Sequence, residues 1–401
     1  MSMTGILDLV RGEAEAFTAI RRDLHRHPEL PFGENRTSRI VADLLEGWGY
    51  QVERGLGGTG VVGQLRRGNG PRALGLRADM DALPIEEATG AAYASANPGV
   101  MHACGHDGHT TMLLAAAKVL AERGRFDGTV NLIFQPAEEY GLADSGAARM
   151  IADGLFERYP CDAVFGMHNM PGHPQGRLIF RDGPMMASSD KVLITLEGKG
   201  GHGAVPHLAV DPVVAAASLV MALQTVVARN VDPRRTAVVT VGVLQAGTAN
   251  NVIPASARLE LSVRALDGDV RELLQQRITD IVRSQAESYG CTADIQYRRG
   301  YPPLVNTSAE TELAREIGRA LVGEAQVDEQ GEALTGSEDF AFMLESEPGS
   351  YLLIGNGMPG ETGGVPVHNP GYDFNDANIP VGGAYWVMLT ERFLGPEPLT
   401  P

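Results

Sequence analysis

The segment Thr129-Val-Asn-Leu-Ile-Phe-Gln-Pro-Ala-Glu-Glu139 is an apolar run that ends in two adjacent carboxylates. A short apolar run bounded by turn residues is typical of a strand that is buried on both faces. Two further runs have the same form: Ala73–Ala78 precedes Asp79, and Ala163–Met167 precedes His168. Because ligands bind beyond the carboxyl ends of the strands in open α/β sheets, we expect these polar residues to meet at one edge.

Helical patterns alternate with these strands. Apolar spacing predicts helices over about His109–Glu122 and near Ala147–Ala152. Two more helices are predicted to open the chain, one from Ile6 to Leu24 and one that ends at Gly49. This alternation predicts an α/β fold with a mostly parallel sheet and helices on both faces.

A different pattern occupies about Ser188 to Arg299 and has the order β-α-β-β-α-β of the ferredoxin-like unit. Its predicted elements are Lys191–Leu196, Pro212–Ala228, Thr236–Leu244, Arg258–Ala265, Val270–Ser288 and Thr292–Tyr297. After Tyr301 the chain returns to helix, strand and helix. We therefore predict a catalytic domain of residues 1–187 and 300–401, interrupted by an inserted α+β lid or dimerisation domain of residues 188–299.

Composition narrows the possible partners and the compartment. The 401 residues exceed the size at which one core keeps growing, so two domains are expected. A net charge of −17 argues against nucleic acid and anionic membranes as partners, and no uninterrupted apolar run approaches about 20 residues. The first residues lack a secretory signal, and the three cysteines, Cys104, Cys161 and Cys291, suggest no disulfide framework. These features predict a cytoplasmic protein with reduced thiols.

The stretch His102-Ala-Cys-Gly-His-Asp-Gly-His109 places three imidazoles and a thiol within eight residues of a chain that has ten His and three Cys. Imidazole and thiolate are preferred ligands of borderline-soft divalent metals. The alternative is a polar helix N-terminus with capping residues. The density of ligand-type side chains favours a metal site, which nearby carboxylates could complete.

The adjacent Glu138 and Glu139 can divide two tasks between them. In an extended loop one carboxylate can bind a metal while its neighbour faces substrate as a general base. A solvated acidic loop is the alternative reading. A further candidate ligand, His368, is flanked by prolines that restrict its backbone, although a lone histidine of this kind is more often structural.

Two glycine-rich segments resemble nucleotide-binding motifs only as strings. Gly55-Leu-Gly-Gly-Thr-Gly60 matches the dinucleotide fingerprint, but a strand pattern follows it and no helix opens there. Gly198-Lys-Gly-Gly-His-Gly203 lacks the Gly-Lys-Ser/Thr order of a phosphate-binding loop. Neither segment predicts a nucleotide site.

Taken together, five motifs resemble the M20 metallopeptidase family. The closest likeness is to its amidohydrolase branch, which contains hippurate hydrolases, N-acyl-amino-acid hydrolases and auxin-conjugate hydrolases. The motifs are Arg77-Ala-Asp79-Met-Asp81, His102-Ala-Cys104-Gly-His106, Gln135-Pro-Ala-Glu138-Glu139, Met167-His168-Asn169 and Gly200-Gly-His202-Gly-Ala-Val-Pro.

The resemblance implies two divalent metal ions per subunit, which could be Mn, Zn, Co or Ni. It implies that the ligands are Cys104, His106, Glu139, His168 and His368. Glu138 matches the general base of the family, and Asp81 matches the residue that orients a ligand imidazole. His202 matches a histidine that contacts the reacting carbonyl, often across a dimer, and Asn251 matches an asparagine that helps to bind substrate. A homodimer or higher homo-oligomer is therefore expected.

Two positions depart from the di-zinc peptidases of the wider family. Asp79 stands where those enzymes have a ligand histidine, and Cys104-Gly-His106 replaces their bridging aspartate segment. Other members of the amidohydrolase branch share both changes, so the resemblance leaves the metal identity open but not the activity.

The resulting prediction is a cytoplasmic metal-dependent amidohydrolase that cleaves N-acyl-L-amino acids, such as hippurate or N-acetyl-amino acids, to a carboxylate and a free amino acid. Three alternatives remain at this point. They are a dipeptidase or carboxypeptidase of the same family, a cysteine hydrolase with Cys104 as nucleophile, and an inactive homologue that only binds a ligand.

Overall fold

A computed structural model describes residues 3–395 of the chain and the side chains of residues 5–395. The chain forms two compact units. The first unit combines the residues up to Gly183 with Val305–Glu332 and with the residues from Asp339 onward. The inserted unit combines Pro184–Leu304 with the short segment Ala333–Glu338. The domain boundaries predicted from the sequence were 187/188 and 299/300. That prediction did not include Ala333–Glu338 in the inserted unit.

The elements alternate along the chain as follows. The helices are α1 (Met3–Gly12), α2 (Ala14–Arg26), α3 (Asn35–Gly47), α4 (His106–Arg123), α5 (Gly146–Ala152), α6 (Leu155–Arg158), α7 (Pro212–Asn230), α8 (Gly268–Ser288), α9 (Ser308–Val322), α10 (Phe340–Ser346) and α11 (Asn378–Phe393). The strands are β1 (Gln51–Leu56), β2 (Gly60–Arg67), β3 (Ala73–Asp79), β4 (Gly128–Gln135), β5 (Ala163–Pro171), β6 (Leu178–Ile179), β7 (Gly183–Met186), β8 (Asp190–Glu197), β9 (Gly201–His202), β10 (Ala237–Ala246), β11 (Val252–Ile253), β12 (Ser256–Ala265), β13 (Thr292–Arg299), β14 (Leu304–Asn306), β15 (Val327–Asp328) and β16 (Gly349–Gly357).

The first unit is built on an eight-stranded sheet with the order β1-β2-β4-β3-β5-β16-β6-β15. The four central strands, β4, β3, β5 and β16, run parallel, while β1 and β2 add an antiparallel edge. All eight residues of β4 are buried, as expected for a parallel strand that is covered on both faces. The α/β fold class predicted from the sequence is confirmed.

The register brings the carboxyl ends of the central strands to one edge of the sheet. Asp79 at the end of β3 pairs with Gln135 at the end of β4, and His168 of β5 pairs with Leu353 of β16. Helix α4 begins at this edge with His106 and is almost entirely buried along its length. The strand ends and the start of α4 therefore converge.

Two local predictions about the N-terminal part need correction. The single helix predicted over Ile6–Leu24 is broken into α1 and α2, and the break follows Gly12, a poor helix former. The segment that resembles a dinucleotide fingerprint contains the end of β1 and a turn at Gly57 and Gly58, both with positive φ, that leads antiparallel into β2. It is a hairpin connection rather than a phosphate-binding loop.

The inserted unit has an antiparallel four-stranded sheet with the order β10-β12-β8-β13, which is the ferredoxin-like arrangement. Helix α7 is capped by the Asp211 side chain, which accepts the N–H of Val213. Helix α7 is long and apolar enough to cross a membrane, which was not predicted from the sequence. Of its most apolar 18-residue stretch, 33% is buried. That buried share includes Leu219 and Leu223, which pack in the core of this unit.

Candidate metal centre

The strand ends and α4 bring the five predicted metal ligands together. Five groups of potential ligands occur among the described residues, with the ligand atoms of each group within 4.8 Å of one another, and three of these groups consist of the predicted ligands and Glu138. These three groups are Cys104, His106 and His168; Cys104, Glu139 and His368; and His106, Glu138 and Glu139. Cys104 belongs to the first two groups, so its thiol lies between two sets of donors. One detail differs from the sequence prediction: β5 does not end before His168 but continues to Pro171.

Asp81 orients two of the predicted ligands at once. Its Oδ1 lies 3.2 Å from Nδ1 of His106, and its Oδ2 accepts the backbone N–H of Glu139 at 2.8 Å. Engaging Nδ1 of a histidine in this way fixes the ring and leaves Nε2 for a metal, as is common around metal sites. Nε2 of His106 is indeed buried and has no hydrogen-bond partner.

His168 is held in the neutral form that binds metals. Its Nδ1–H donates to the backbone oxygen of Asn169 at 2.6 Å, which leaves Nε2 at 3.3 Å from Sγ of Cys104. Burial, reinforced by the nearby ring of His109, lowers the pKa of His168 well below its usual value. A neutral imidazole with Nε2 available is the ligand form of histidine.

The third histidine of the motif, His109, has a different task. Its Nδ1–H donates to Oδ1 of Asp79 at 2.7 Å, and its Nε2 accepts the backbone N–H of Asn169 at 2.9 Å. Both nitrogens are occupied, so His109 supports the site and is not available as a ligand. Asp79, which stands in place of a ligand histidine, is in turn paired with Arg77 at 2.7 Å.

Asn169 and Tyr372 are supporting residues to which the sequence analysis assigned no role. The Asn169 amide donates to the backbone oxygen of Cys104 at 2.6 Å and accepts from the hydroxyl of Tyr372 at 2.8 Å. Gly105 has a φ of 91°, and a Cβ there would collide with both side chains. Glycine therefore allows Cys104 and His106 to diverge over one residue. Adjacency to His168 was the only sequence signal for Asn169, and Tyr372 had none.

His368 reaches the centre from a strained backbone position. Its φ is 62°, in the left-handed region that costs a non-glycine residue about 1–2 kcal/mol, and its N–H donates to the oxygen of Ala103 at 2.7 Å. Nε2 of His368 lies 3.0 Å from Oε1 of Glu139, yet this buried oxygen has no aligned hydrogen bond. The two atoms lie within ion-pair distance of each other, and together with Sγ of Cys104 they form a group that could bind one ion.

The donor set and its electrostatics fit a divalent cation. Nε2 of His106 and Oε1 of Glu139 are both buried without a hydrogen-bond partner, and a metal would satisfy both. Burial lowers the pKa of His106, but the carboxylates of Asp79 and Asp81 outweigh it and raise that pKa to about 10. The centre therefore attracts positive charge, and its thiol, imidazole and carboxylate donors suit a borderline-soft metal.

The surroundings of Cys104 argue against a cysteine nucleophile. Burial, with the charges of Glu139 and Glu138 nearby, raises the pKa of the Cys104 thiol well above its usual value. A nucleophilic cysteine needs the opposite, an environment that lowers the thiol pKa. A divalent cation bound beside the sulfur would instead stabilise the thiolate.

His202 and Asn251 come together inside the inserted unit. Strands β9 and β11 pair His202 with Val252, and the backbone oxygen of Asn251 accepts the N–H of Gly203 at 2.8 Å. Nδ1 of the exposed His202 accepts the backbone N–H of Ala204 at 3.0 Å, so the neutral ring carries its proton on Nε2. His202 therefore offers an N–H donor to solvent.

These features define a metal-dependent hydrolase. The α/β unit carries the donor cluster and an adjacent carboxylate at its strand ends, and a ferredoxin-like unit is inserted into it. The family described as peptidase family M20/M25/M40 matches residues 75–392, and the chain belongs to it. It is a metallo-amidohydrolase of the hippurate hydrolase and aminoacylase type, as the motifs predicted.

Individual relatives agree over nearly the whole chain. A hippurate hydrolase of Campylobacter jejuni is 44% identical over 389 residues, which cover 97% of this chain and 98% of that protein. An N-acetyl-L-cysteine deacetylase of Bacillus subtilis is 39% identical over 376 residues, or 94% of this chain and 87% of that protein. The crystal structure of Bacillus subtilis YXEP, described as a dinuclear metal binding peptidase, has a TM-score of 0.83 at 32% identity and covers 96% of this chain and 99% of its own.

Proposed function

We propose that this enzyme hydrolyses the amide bond of N-acyl-L-amino acids, such as hippurate or N-acetyl-amino acids, with two divalent metal ions per subunit. The main observation in favour of two ions is that the Cys104 thiol belongs to two donor groups, one with His106 and His168 and one with Glu139 and His368. The similarity to a hippurate hydrolase and to an N-acetyl-L-cysteine deacetylase supports the substrate class.

The residues of the chain have distinct tasks in this proposal. Bound divalent cations would supply Lewis acidity, which makes water easier to deprotonate and an amide carbonyl easier to attack. Asp81 holds the ring of His106 and the backbone of Glu139 in their orientations. Glu138 takes a proton from the attacking water onto its carboxylate and delivers it to the leaving nitrogen.

The inserted unit contributes substrate contacts in this proposal. The Nε2–H of His202 donates a hydrogen bond to the carbonyl oxygen as negative charge develops there. Asn251, which lies beside His202, helps to bind the substrate. In a homodimer, His202 would serve the metal centre of the partner subunit.

A substrate panel tests the proposal. Enzyme treated with a chelator is expected to be inactive, and adding back Zn²⁺, Mn²⁺, Co²⁺ or Ni²⁺ one at a time is expected to restore hydrolysis of N-benzoylglycine or N-acetyl-amino acids. Matched dipeptides and D-enantiomers serve as controls. Activity that survives complete metal removal would contradict the mechanism. Faster turnover of dipeptides than of every N-acyl amino acid would favour a dipeptidase of the same family.

The contribution of His202 can be measured separately. We expect His202→Ala to lower kcat by about 10²–10³-fold, the usual loss on removing an oxyanion donor, with unchanged metal content. His207→Ala, which alters another exposed histidine of the same unit, is the matched control and should leave kcat unchanged. Verified heterodimers of His202→Ala and Glu138→Gln subunits should regain activity if His202 acts across the dimer. A normal kcat for His202→Ala would remove it from the mechanism.

A further inference from the structure

Two turns of the first unit are joined through a single carboxylate oxygen. Among the residues that the structure describes, three non-glycine residues have positive φ: Phe32, Ala137 and His368. Oε1 of Glu34 accepts the backbone N–H of Phe32 at 3.0 Å and that of Ala137 at 2.8 Å. One atom therefore holds two of the three strained backbones, and the second of them immediately precedes Glu138.

Glu34 is fully engaged by these contacts and is buried. It stands directly before α3 and has an exposed fraction of 0%. Its second oxygen, Oε2, accepts the hydroxyl of Thr59 at 2.5 Å. Glu34 belongs to none of the metal-ligating groups. A buried carboxylate whose oxygens accept hydrogen bonds from turn residues has a structural role in the site.

Aromatic contacts join the same two turns independently. The ring of Phe32 packs edge-on against Tyr140 with 5.0 Å between centroids. The guanidinium of Arg149 stacks over Phe32 at 3.8 Å and also lies near the Tyr140 ring. The turn around Phe32 therefore braces the 3-10 turn Glu138–Tyr140 at both its start and its end.

We propose that Glu34 is a positioning residue for Glu138: its carboxylate holds Ala137 in the left-handed conformation that directs the general base toward the reacting water. This inference rests on the proposed role of Glu138. Ala137 has φ 50° and ψ 47°. Without an acceptor for its N–H, the backbone of Ala137 would relax toward the conformations that L-residues prefer, and the side chain that follows it would turn away.

Reach rather than charge is the property of Glu34 that the proposal requires. Burial and the nearby charge of Asp81 raise the pKa of Glu34 to about 7, so the protein does not favour its ionised form. All three partners of the side chain are hydrogen-bond donors, and an amide oxygen of the same length could accept from both backbone N–H groups. A shorter carboxylate could not reach Ala137.

The test compares Glu34→Gln, which keeps the length and removes the charge, with Glu34→Asp, which keeps the charge and loses the length. We expect Glu34→Asp to lower kcat by about 10²-fold, a loss that a misplacement of about 1 Å can cause, with KM and metal content unchanged. Glu34→Gln is expected to retain most of kcat. Adding Ala137→Gly to Glu34→Asp is expected to recover part of kcat, because glycine adopts positive φ without strain.

Glu29 provides the matched control. Its carboxylate accepts the backbone N–H groups of Arg36 and Thr37 at 2.9 Å and 2.8 Å and does not contact Ala137. Glu29→Gln and Glu29→Asp should therefore leave kcat unchanged, even where they lower the thermal midpoint of unfolding. Glu34→Asp is a small change, so the comparison does not depend on a more disruptive variant that fails to fold.

Three outcomes would overturn the inference. They are a normal kcat in Glu34→Asp, a kcat in Glu34→Gln as low as that in Glu34→Asp, and a loss of kcat that follows loss of metal or of folded protein. Failure of the proposed function is recognised separately, because Glu138→Gln would then keep normal turnover. If Glu138→Gln is inactive while both Glu34 variants are normal, only the positioning role is wrong.

Discussion

Glu138→Gln should lower kcat by about 10²–10⁴-fold, the range that general acid–base catalysis contributes, while metal content and substrate binding stay the same. The amide keeps the size of the side chain and removes its ability to take a proton. The measurements are kcat and KM under saturating metal, metal per chain, and the dissociation constant of a substrate or product.

Full turnover by Glu138→Gln would contradict the proposed mechanism. Loss of metal in this variant, with Glu139→Gln keeping it, would show that the two carboxylates have the opposite roles. Glu157→Gln, which changes an exposed carboxylate of the same unit, controls for the loss of one negative charge and should behave as wild type.

Glu139→Gln is expected to fail in a different way, by losing metal. Oε1 of Glu139 is buried without an aligned hydrogen bond and lies 3.0 Å from Nε2 of His368. Replacing a charged ligand with an amide should weaken metal binding by more than the roughly 10–100-fold that follows loss of a supporting partner. Excess metal should restore part of kcat, which it cannot do for Glu138→Gln.

Titration of each variant with metal, followed by activity and by bound metal, separates the two roles. Cys104→Ser extends the comparison, since the thiol belongs to both donor groups and its replacement should weaken metal retention. If Glu139→Gln and Cys104→Ser both held metal as tightly as wild type and turned over normally, neither residue would be a ligand.

Features that depend on local pattern were predictable from the sequence. Strands β3, β4 and β5 were visible because a buried parallel strand is a short apolar run, and the polar residues that follow such a run stand out. The ferredoxin-like order of the inserted unit was visible for a similar reason. Apolar residues recur with one period in its strands and with another in its helices, so the two kinds of element can be told apart.

Features that depend on contacts between distant segments were not predictable. Glu34 meets Ala137 across 103 positions of the chain, and Tyr372 meets Asn169 across 203. Neither contact leaves a local signature, since any buried acceptor or hydroxyl could serve. The role of His109 was not predictable from the sequence either. It resembles a ligand in the sequence, and only its two hydrogen bonds in the structure show that both nitrogens are occupied.

The position of β16 has a consequence for how the enzyme is made. This strand lies beside β5 in the sheet but follows it only after the whole inserted unit, and His368 comes later still. At a synthesis rate of about 5–20 residues per second, β5 waits on the order of 10–40 s on the ribosome with one edge unpaired. An unpaired strand edge is prone to aggregation, so we expect the nascent chain to be most vulnerable during this interval. The same order of synthesis means that the proposed ligand set is complete only after His368 has been translated.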